Sequence, residues 1–223
     1  MVASSLISAR NIRKSYGKLE VLKGIDLEIN ASEIVCITGE SGAGKSTLLH
    51  ILGTLDKPDA GELFIKDQQV NSLESNRLSK FRNQNLGFVF QFHQLLPEFS
   101  ALENACMPSW ISGIGKKEAI EKAMPLFNML GIADRVHHKP NELSGGEQQR
   151  VSVVRALINN PAVVFADEPS GNLDSKNARS LHDYFLRLRD ELGQTFVIVT
   201  HNPELADLAD RHLQMRDGLF IAD

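Results

Sequence analysis

Nine consecutive residues, Gly39-Glu40-Ser41-Gly42-Ala43-Gly44-Lys45-Ser46-Thr47, fit the pattern G-x-x-x-x-G-K-[ST] at every fixed position. Together these residue types hold a polyphosphate. Glycines let the backbone bend until consecutive N–H groups point at one anion. A helix that follows adds free N–H groups and the positive end of its dipole. Lys45 supplies a mobile charge for the β- and γ-phosphates of a nucleotide, and Ser46 offers a hydroxyl to Mg²⁺.

A second chemical signal is Val163-Val164-Phe165-Ala166-Asp167-Glu168, an apolar run ending in two carboxylates. In a parallel sheet, ligands gather at the carboxyl ends of strands. Asp167 then falls beside the phosphate loop, where it holds Mg²⁺ through water. Glu168 is placed to polarise a water for attack on the γ-phosphate. The third signal is Leu143-Ser144-Gly145-Gly146-Glu147-Gln148-Gln149. Ser144 and two glycines open a helix, a second potential anion site. One phosphate loop and two such sites in one chain imply a site shared between subunits.

These groups need elements to hold them. Residues 34–38 form a short apolar run suited to a buried strand, and residues 46–52 read as a helix. Residues 6–12 and 21–29 read as strands joined by the turn Tyr16-Gly17-Lys18, and residues 62–65 as another. Residues 86–90 are a further apolar strand ending at Gln91. From 101 to 134 the pattern is helical, with interruptions expected at Pro108, at 113–115 and at Pro125. Ile120, Ala123, Met124, Phe127 and Leu130 recur at helical spacing, as a packed face does. Residues 147–159 and 175–192 read as helices, and 162–167 and 195–200 as buried strands. Apolar strands alternating with helices imply an α/β fold with a parallel sheet covered on both faces.

The chain has 223 residues and is 42% hydrophobic, enough for one large domain or two small ones. A net charge of −4 argues against a nucleic-acid footprint. No apolar run approaches the ~20 residues of a membrane-spanning helix. The residues before Ile7 lack the regions of a signal peptide, so a cytosolic chain is expected. The two cysteines, Cys36 and Cys106, stand apart from any metal-type cluster and are expected to stay reduced.

Gly39 to Thr47, Gln91, Leu143 to Gln149, Val163 to Glu168, Ser170-Gly171-Asn172-Leu173-Asp174 and His201 occur in the order of an ATP-binding cassette (ABC) ATPase, which nearly the whole chain resembles. The resemblance implies a P-loop NTPase core with a mostly parallel sheet, an N-terminal antiparallel β subdomain and an inserted helical subdomain. It implies one cassette over 1–223, with 1–90 and 161–223 as the nucleotide-binding core and 91–160 as the helical part carrying Ser144-Gly145-Gly146. ATP and Mg²⁺ are the implied cofactors, and ATP hydrolysis the implied activity. Tyr16 matches the aromatic position that stacks on adenine. Gln91 completes the Mg²⁺ shell, with Ser46 and Asp167. Glu168 and His201 are the implied catalytic pair, His201 meeting the γ-phosphate. The implied assembly is a head-to-tail dimer, in which ATP on Gly39–Thr47 of one copy is closed over by Ser144, Gly145, Gly146 and Gln148 of the other, with Asp174 at the interface. Ser170 departs from the threonine usual in relatives but keeps a hydroxyl.

A narrower resemblance runs from Arg82 through Gln91 to Asn104. It is similar to the ATPases of bacterial lipoprotein-releasing transporters, which extract lipoproteins from the inner membrane. Macrolide-export and cell-division ATPases share the core motifs. Such a subunit works at the cytoplasmic face of the inner membrane, bound to integral membrane subunits. Soluble relatives acting on DNA or ribosomes tend to carry two cassettes, long coiled coils or zinc cysteines, which this chain lacks. A regulatory module that binds ATP without hydrolysing it is at odds with Glu168 and His201. The apolar side chains from Phe92 to Asn104, with Met107, Pro108 and Trp110, are expected to form a groove for a short helix of the membrane partner. Leu96 and Trp110 are expected to stay accessible.

Overall fold

Three five-residue apolar runs become the centre of a parallel sheet because both of their faces are buried, and a fourth closes one edge. The computed structural model describes residues 5–221, so residues 1–4, part of the stretch read for signal character, lie outside it. In chain order the elements begin with β1 (Ile7–Tyr16), β2 (Leu19–Ile29), β3 (Ile34–Thr38), α1 (Lys45–Leu52), β4 (Ala60–Ile65) and β5 (Gln68–Gln69). They continue with α2 (Ser75–Asn85), β6 (Leu86–Phe90), α3 (Ala101–Ile111), α4 (Lys116–Met129) and α5 (Gly145–Leu157). The last are β7 (Val163–Asp167), α6 (Ser175–Leu192), β8 (Thr195–Val199), α7 (Pro203–Asp207), β9 (Arg211–Arg216) and β10 (Leu219–Phe220).

One sheet has the order β10-β9-β3-β8-β7-β6, parallel except at β10, and the other is antiparallel with the order β2-β1-β4-β5. The two-residue period of the strands divides the interior in two. Val35, Ile37, Val163, Phe165, Val197 and Val199 turn to one side, against α1 and the antiparallel sheet. Cys36, Val164, Ala166, Phe196 and Ile198 turn to the other, against the helices from α3 onward. Both cysteines are buried and free. Burial pushes the Cys36 thiol up to about 12 and, with Glu103 nearby, the Cys106 thiol to about 11.

The helical stretch departs from expectation at its prolines. Pro108 lies inside α3 and Pro125 inside α4. An interior proline costs a helix about 3 kcal/mol. Here tertiary packing outweighs that penalty: Ala105, Cys106 and Ser109 around Pro108, and Ala123 and Phe127 around Pro125, are buried. The break falls only at Ser112 to Gly115. Of the helical-period residues, Ala123, Phe127 and Leu130 are buried, while Ile120 and Met124 pack beside them partly covered. Helix α2 and strands β9 and β10 had no clear signature in the sequence. In α2 only Leu78 and Phe81 are buried. Strand β9 alternates exposed polar residues (His212, Gln214, Arg216) with Leu213 and Met215 toward one side of the sheet, and only Met215 is fully covered.

Candidate active site

The phosphate loop links the carboxyl end of β3 to α1. Gly39 has φ 148, and a Cβ there would stand 2.0 Å from the Met215 carbonyl oxygen. Strand β9 therefore backs the loop so closely that only glycine fits. The Lys45 ammonium donates to the Gly39 and Glu40 carbonyls at 2.8 Å each, drawing the loop over itself. Glu40, Ser41, Gly42 and Ser46 are exposed, Thr47 is half-buried, and Ala43 and Gly44 are buried under them. The loop's outer rim is thus open to a ligand.

The Ser46 hydroxyl donates to Asp167 Oδ1 at 3.1 Å. Parallel pairing of β7 and β8, and of β8 and β3, brings the ends of these strands level and sets Asp167 against α1. Burial raises the Asp167 pKa, with Ser46 and His50 opposing it. His50, one turn further along α1, lies 3.9 Å from Asp167 Oδ2. Ser46, His50, Gln91, Asp167 and Glu168 line one cavity of about 490 Å³. Its donors are mostly hard oxygens, which suit Mg²⁺.

Glu168 sits at φ 45, a conformation that costs energy for a non-glycine residue and recurs at functional sites. Its N–H donates to the Val199 carbonyl at 2.9 Å. Its carboxylate accepts from the Thr200 hydroxyl at 3.2 Å and lies 2.8 Å from His201 Nδ1. The His201 ring is exposed. Thr200 was missed in the sequence; its only signal was its place at the end of a buried strand.

Gln91 is held by a reciprocal pair. Its side-chain amide donates to Asn172 Oδ1 at 3.1 Å, and Asn172 Nδ2 donates to the Gln91 carbonyl at 3.1 Å. The next residues are anchored to α5: Arg155 donates to the His93 and Gln94 carbonyls, and His93 pairs with Gln149. Sequence spacing could not show these links, since their partners lie 56 to 81 positions apart.

Ser144 caps α5 in a capping box with Glu147. Burial raises the Glu147 pKa, but Ser144 and Arg135 outweigh it and hold the carboxyl down to about 2. Gln148 donates to the Pro140 and Leu143 carbonyls and so braces the loop leading to Ser144. A Cβ on Gly146 would meet Asn177 Oδ1 at 2.5 Å, and Asn177 in turn binds Asp174, the cap of α6. Ser144, Gly145, Gly146 and Asp174 thus cluster at two adjoining helix starts. They stand apart from the phosphate loop of the same chain: α5 packs on α3, α4, α6 and β6, whereas α1 packs on β2, β7 and β8.

Tyr16 lies at the end of β1 with its ring half-exposed, and its hydroxyl donates to Asp56 Oδ2 at 2.6 Å.

Residues 22–171, spanning the phosphate loop, Gln91, Ser144 and the Asp167–Glu168 pair, match the family model described as ABC transporter. The chain belongs to this family. As an ABC ATPase it is 60% identical over 98% of its length to the lipoprotein-releasing system ATP-binding protein LolD of Bacteroides thetaiotaomicron, all of which is covered. It is 49% identical over 99% of its length to the LolD of Aquifex aeolicus, with 98% of that protein covered. Among solved structures it is similar to an ABC transporter cassette in dimeric form, with TM-score 0.89 and 39% identity over 97% of each chain. It is also similar to a dimeric cassette in a post-hydrolysis state bound to ADP and Pi, with TM-score 0.88 and 38% identity over 97% of each chain. The cassette binds and hydrolyses ATP. Among the described residues, no helix of the cassette is long and apolar enough to cross a membrane.

Proposed function

We propose that this ATPase drives release of lipoproteins from the bacterial inner membrane, as a peripheral subunit on its cytoplasmic face. The observation that carries the cargo is 60% identity, end to end, with a LolD protein. For the chemistry, it is the Ser46–Asp167 hydrogen bond next to Glu168 and His201.

The roles follow from charge and placement. Lys45 and the loop N–H groups hold the β- and γ-phosphates of ATP, and Tyr16 stacks on the adenine. Ser46, Asp167 and Gln91 hold Mg²⁺, which neutralises phosphate charge when bound. Glu168, oriented by Thr200 and by the His201 ring, accepts a hydrogen bond from the attacking water and polarises it. His201 meets the γ-phosphate with its exposed ring. Ser144, Gly145, Gly146 and Gln148 act on the ATP of a second copy in a head-to-tail dimer, and Asp174 lies at that interface. Two facts support a shared site: these residues stand apart from their own phosphate loop, and similar cassettes are dimeric.

Within the chain, 1–90 and 161–223 act as the nucleotide-binding core and 91–160 as the helical part. A groove of about 330 Å³ runs between α2, β6, α3 and α5, lined by Arg82, Phe88, Phe90, Pro108, Ile111 and Arg155. It takes a short helix of the membrane partner. Trp110 does not belong to its open rim, contrary to expectation, because it packs partly covered against the core. Leu96, 41% exposed, is accessible as expected; Ile111 in the groove lining and Phe92 beyond it, each 72% exposed, are the other apolar groups available.

The test is reconstitution with the cognate membrane subunits in liposomes carrying an acylated lipoprotein. ATP-dependent release of the lipoprotein is expected. ATPase stimulation by those subunits with no release would overturn the cargo while leaving the ATPase in place.

A further inference from the structure

We propose that Asp56 is a positioning residue for the ring of Tyr16, holding it ready for the base of the nucleotide; this rests on the reading of Tyr16 as the adenine platform. A half-exposed tyrosine at the end of a hairpin strand would ordinarily sample several rotamers, and stacking would then have to order it. Here the ring is ordered beforehand. Its hydroxyl donates to Asp56 Oδ2 at 2.6 Å. The Lys14 ammonium, on a nearly buried side chain, lies 5.2 Å from the ring centroid and donates to Asp56 Oδ1 at 3.0 Å. One carboxylate therefore fixes both the end of the ring and the cation beside it. The bond to Asp56 also raises the Tyr16 pKa, so the phenol stays protonated and keeps donating.

Asp56 is itself firmly mounted. It follows α1, and the N–H groups of Leu55 and Asp56 both donate to the His50 carbonyl, at 2.7 and 3.2 Å. Arg82 of α2 binds the Thr54 hydroxyl at 3.1 Å and the Thr54 carbonyl as well. Three residues on, Asp59 Oδ2 accepts from the Ser15 N–H at 2.7 Å, and the Asp59 N–H donates to the Arg13 carbonyl at 2.9 Å. The helix that begins at the phosphate loop thus ends in a segment that grips Tyr16. Base and phosphate sites are set on one rigid unit, and a ring ordered before binding loses less freedom when the base arrives.

The experiment measures binding of ATP and of inorganic tripolyphosphate to the full chain and its variants. Tyr16→Phe cuts the bond from the exposed end and threatens folding least. Tyr16→Phe and Asp56→Ala should each weaken ATP about 3–10-fold, the worth of one hydrogen bond. The double variant should be no weaker than the worse single, because both remove the same interaction. Tripolyphosphate affinity should not change, and Asp56→Asn, which keeps an acceptor oxygen, should recover most of the ATP affinity. Additive losses, or an unchanged ATP affinity in Tyr16→Phe, would overturn the positioning role, and so would a parallel loss of tripolyphosphate. Tyr16→Ala separates the two layers. If it weakens ATP while Tyr16→Phe does not, the platform stands and Asp56 falls; if it leaves ATP binding intact, both fall. Should Asp56→Ala fail to fold, Tyr16→Phe and Asp56→Asn still decide the matter.

Discussion

His201 Nδ1 lies 2.8 Å from Glu168 Oε1, and the two residues belong to neighbouring strand ends of the parallel sheet. The imidazole is exposed on its far side while the carboxylate is largely covered. A ring held in this way can reach outward to phosphate while keeping the carboxylate oriented toward a water. Glu168→Gln retains the size and most hydrogen bonds but removes the charge that polarises water. Hydrolysis should fall about 10²–10⁴-fold. ATP binding should persist, and ATP with Mg²⁺ should hold two copies together. Sedimentation showing only monomer well above micromolar concentration would argue against the shared site.

Lys45→Ala removes the mobile cation now held by the Gly39 and Glu40 carbonyls. Loss of a charge-assisted contact to phosphate should cost about 1.5–3 kcal/mol, or roughly 10–150-fold in affinity. Calorimetric titration with ATP checks this. Affinity within twofold of the unaltered protein would remove Lys45 from the site.

Ser144→Arg places a long cation where Ser144 is exposed at the start of α5. Dimer closure with ATP should be blocked, while ATP binding to the single chain stays intact because the phosphate loop is elsewhere. The Glu168→Gln background supplies the readout, since its dimer persists. A dimer that still forms there would disprove the role of Ser144 in closure.

Ile111→Asp charges the exposed lining of the groove and Phe92→Asp the exposed apolar surface beyond it, neither opening the core. An apolar anchor buried on docking is worth roughly 1.5–3 kcal/mol, so capture by the membrane subunits should weaken about tenfold or more. Nucleotide binding and thermal stability of the isolated chain should hold for Ile111→Asp. Normal capture and normal ATPase stimulation in both variants would refute the groove.

Glu147 carries a pH signature. Its folded-state pKa of about 2 lies below the ordinary value of 4.5, so the unfolded chain binds its proton first. Its contribution to stability is present above about 4.5 and is lost as pH falls toward 2. Glu147→Ala should lower stability by about 1–2 kcal/mol at pH 7, on the scale of a lost cap. The gap from the unaltered protein should close as pH drops through that window in urea melts. A gap constant from pH 7 to 3 would mean that Glu147 acts through packing rather than charge.

The sequence alone determined the candidate residues for chemistry and most of the elements holding them. Local rules were sufficient there. Glycines at fixed offsets, an apolar run ending in Asp167-Glu168 and a serine before Gly145-Gly146 each encode their geometry within a few residues. Strand β6 and helix α6 coincide with the runs read for them because five apolar residues, or a long amphipathic period, leave one stable arrangement. The tertiary structure decided what depends on residues far apart. Pro108 and Pro125 stay within helices because packing from other elements outweighs a local penalty. Trp110 turns toward the core, Ile111 turns out, and nothing in their spacing distinguishes them. The pairing of Gln91 with Asn172 and of Tyr16 with Asp56 joins positions 81 and 40 residues apart. Such contacts depend on the strand order of the sheets, which no local pattern in the chain records.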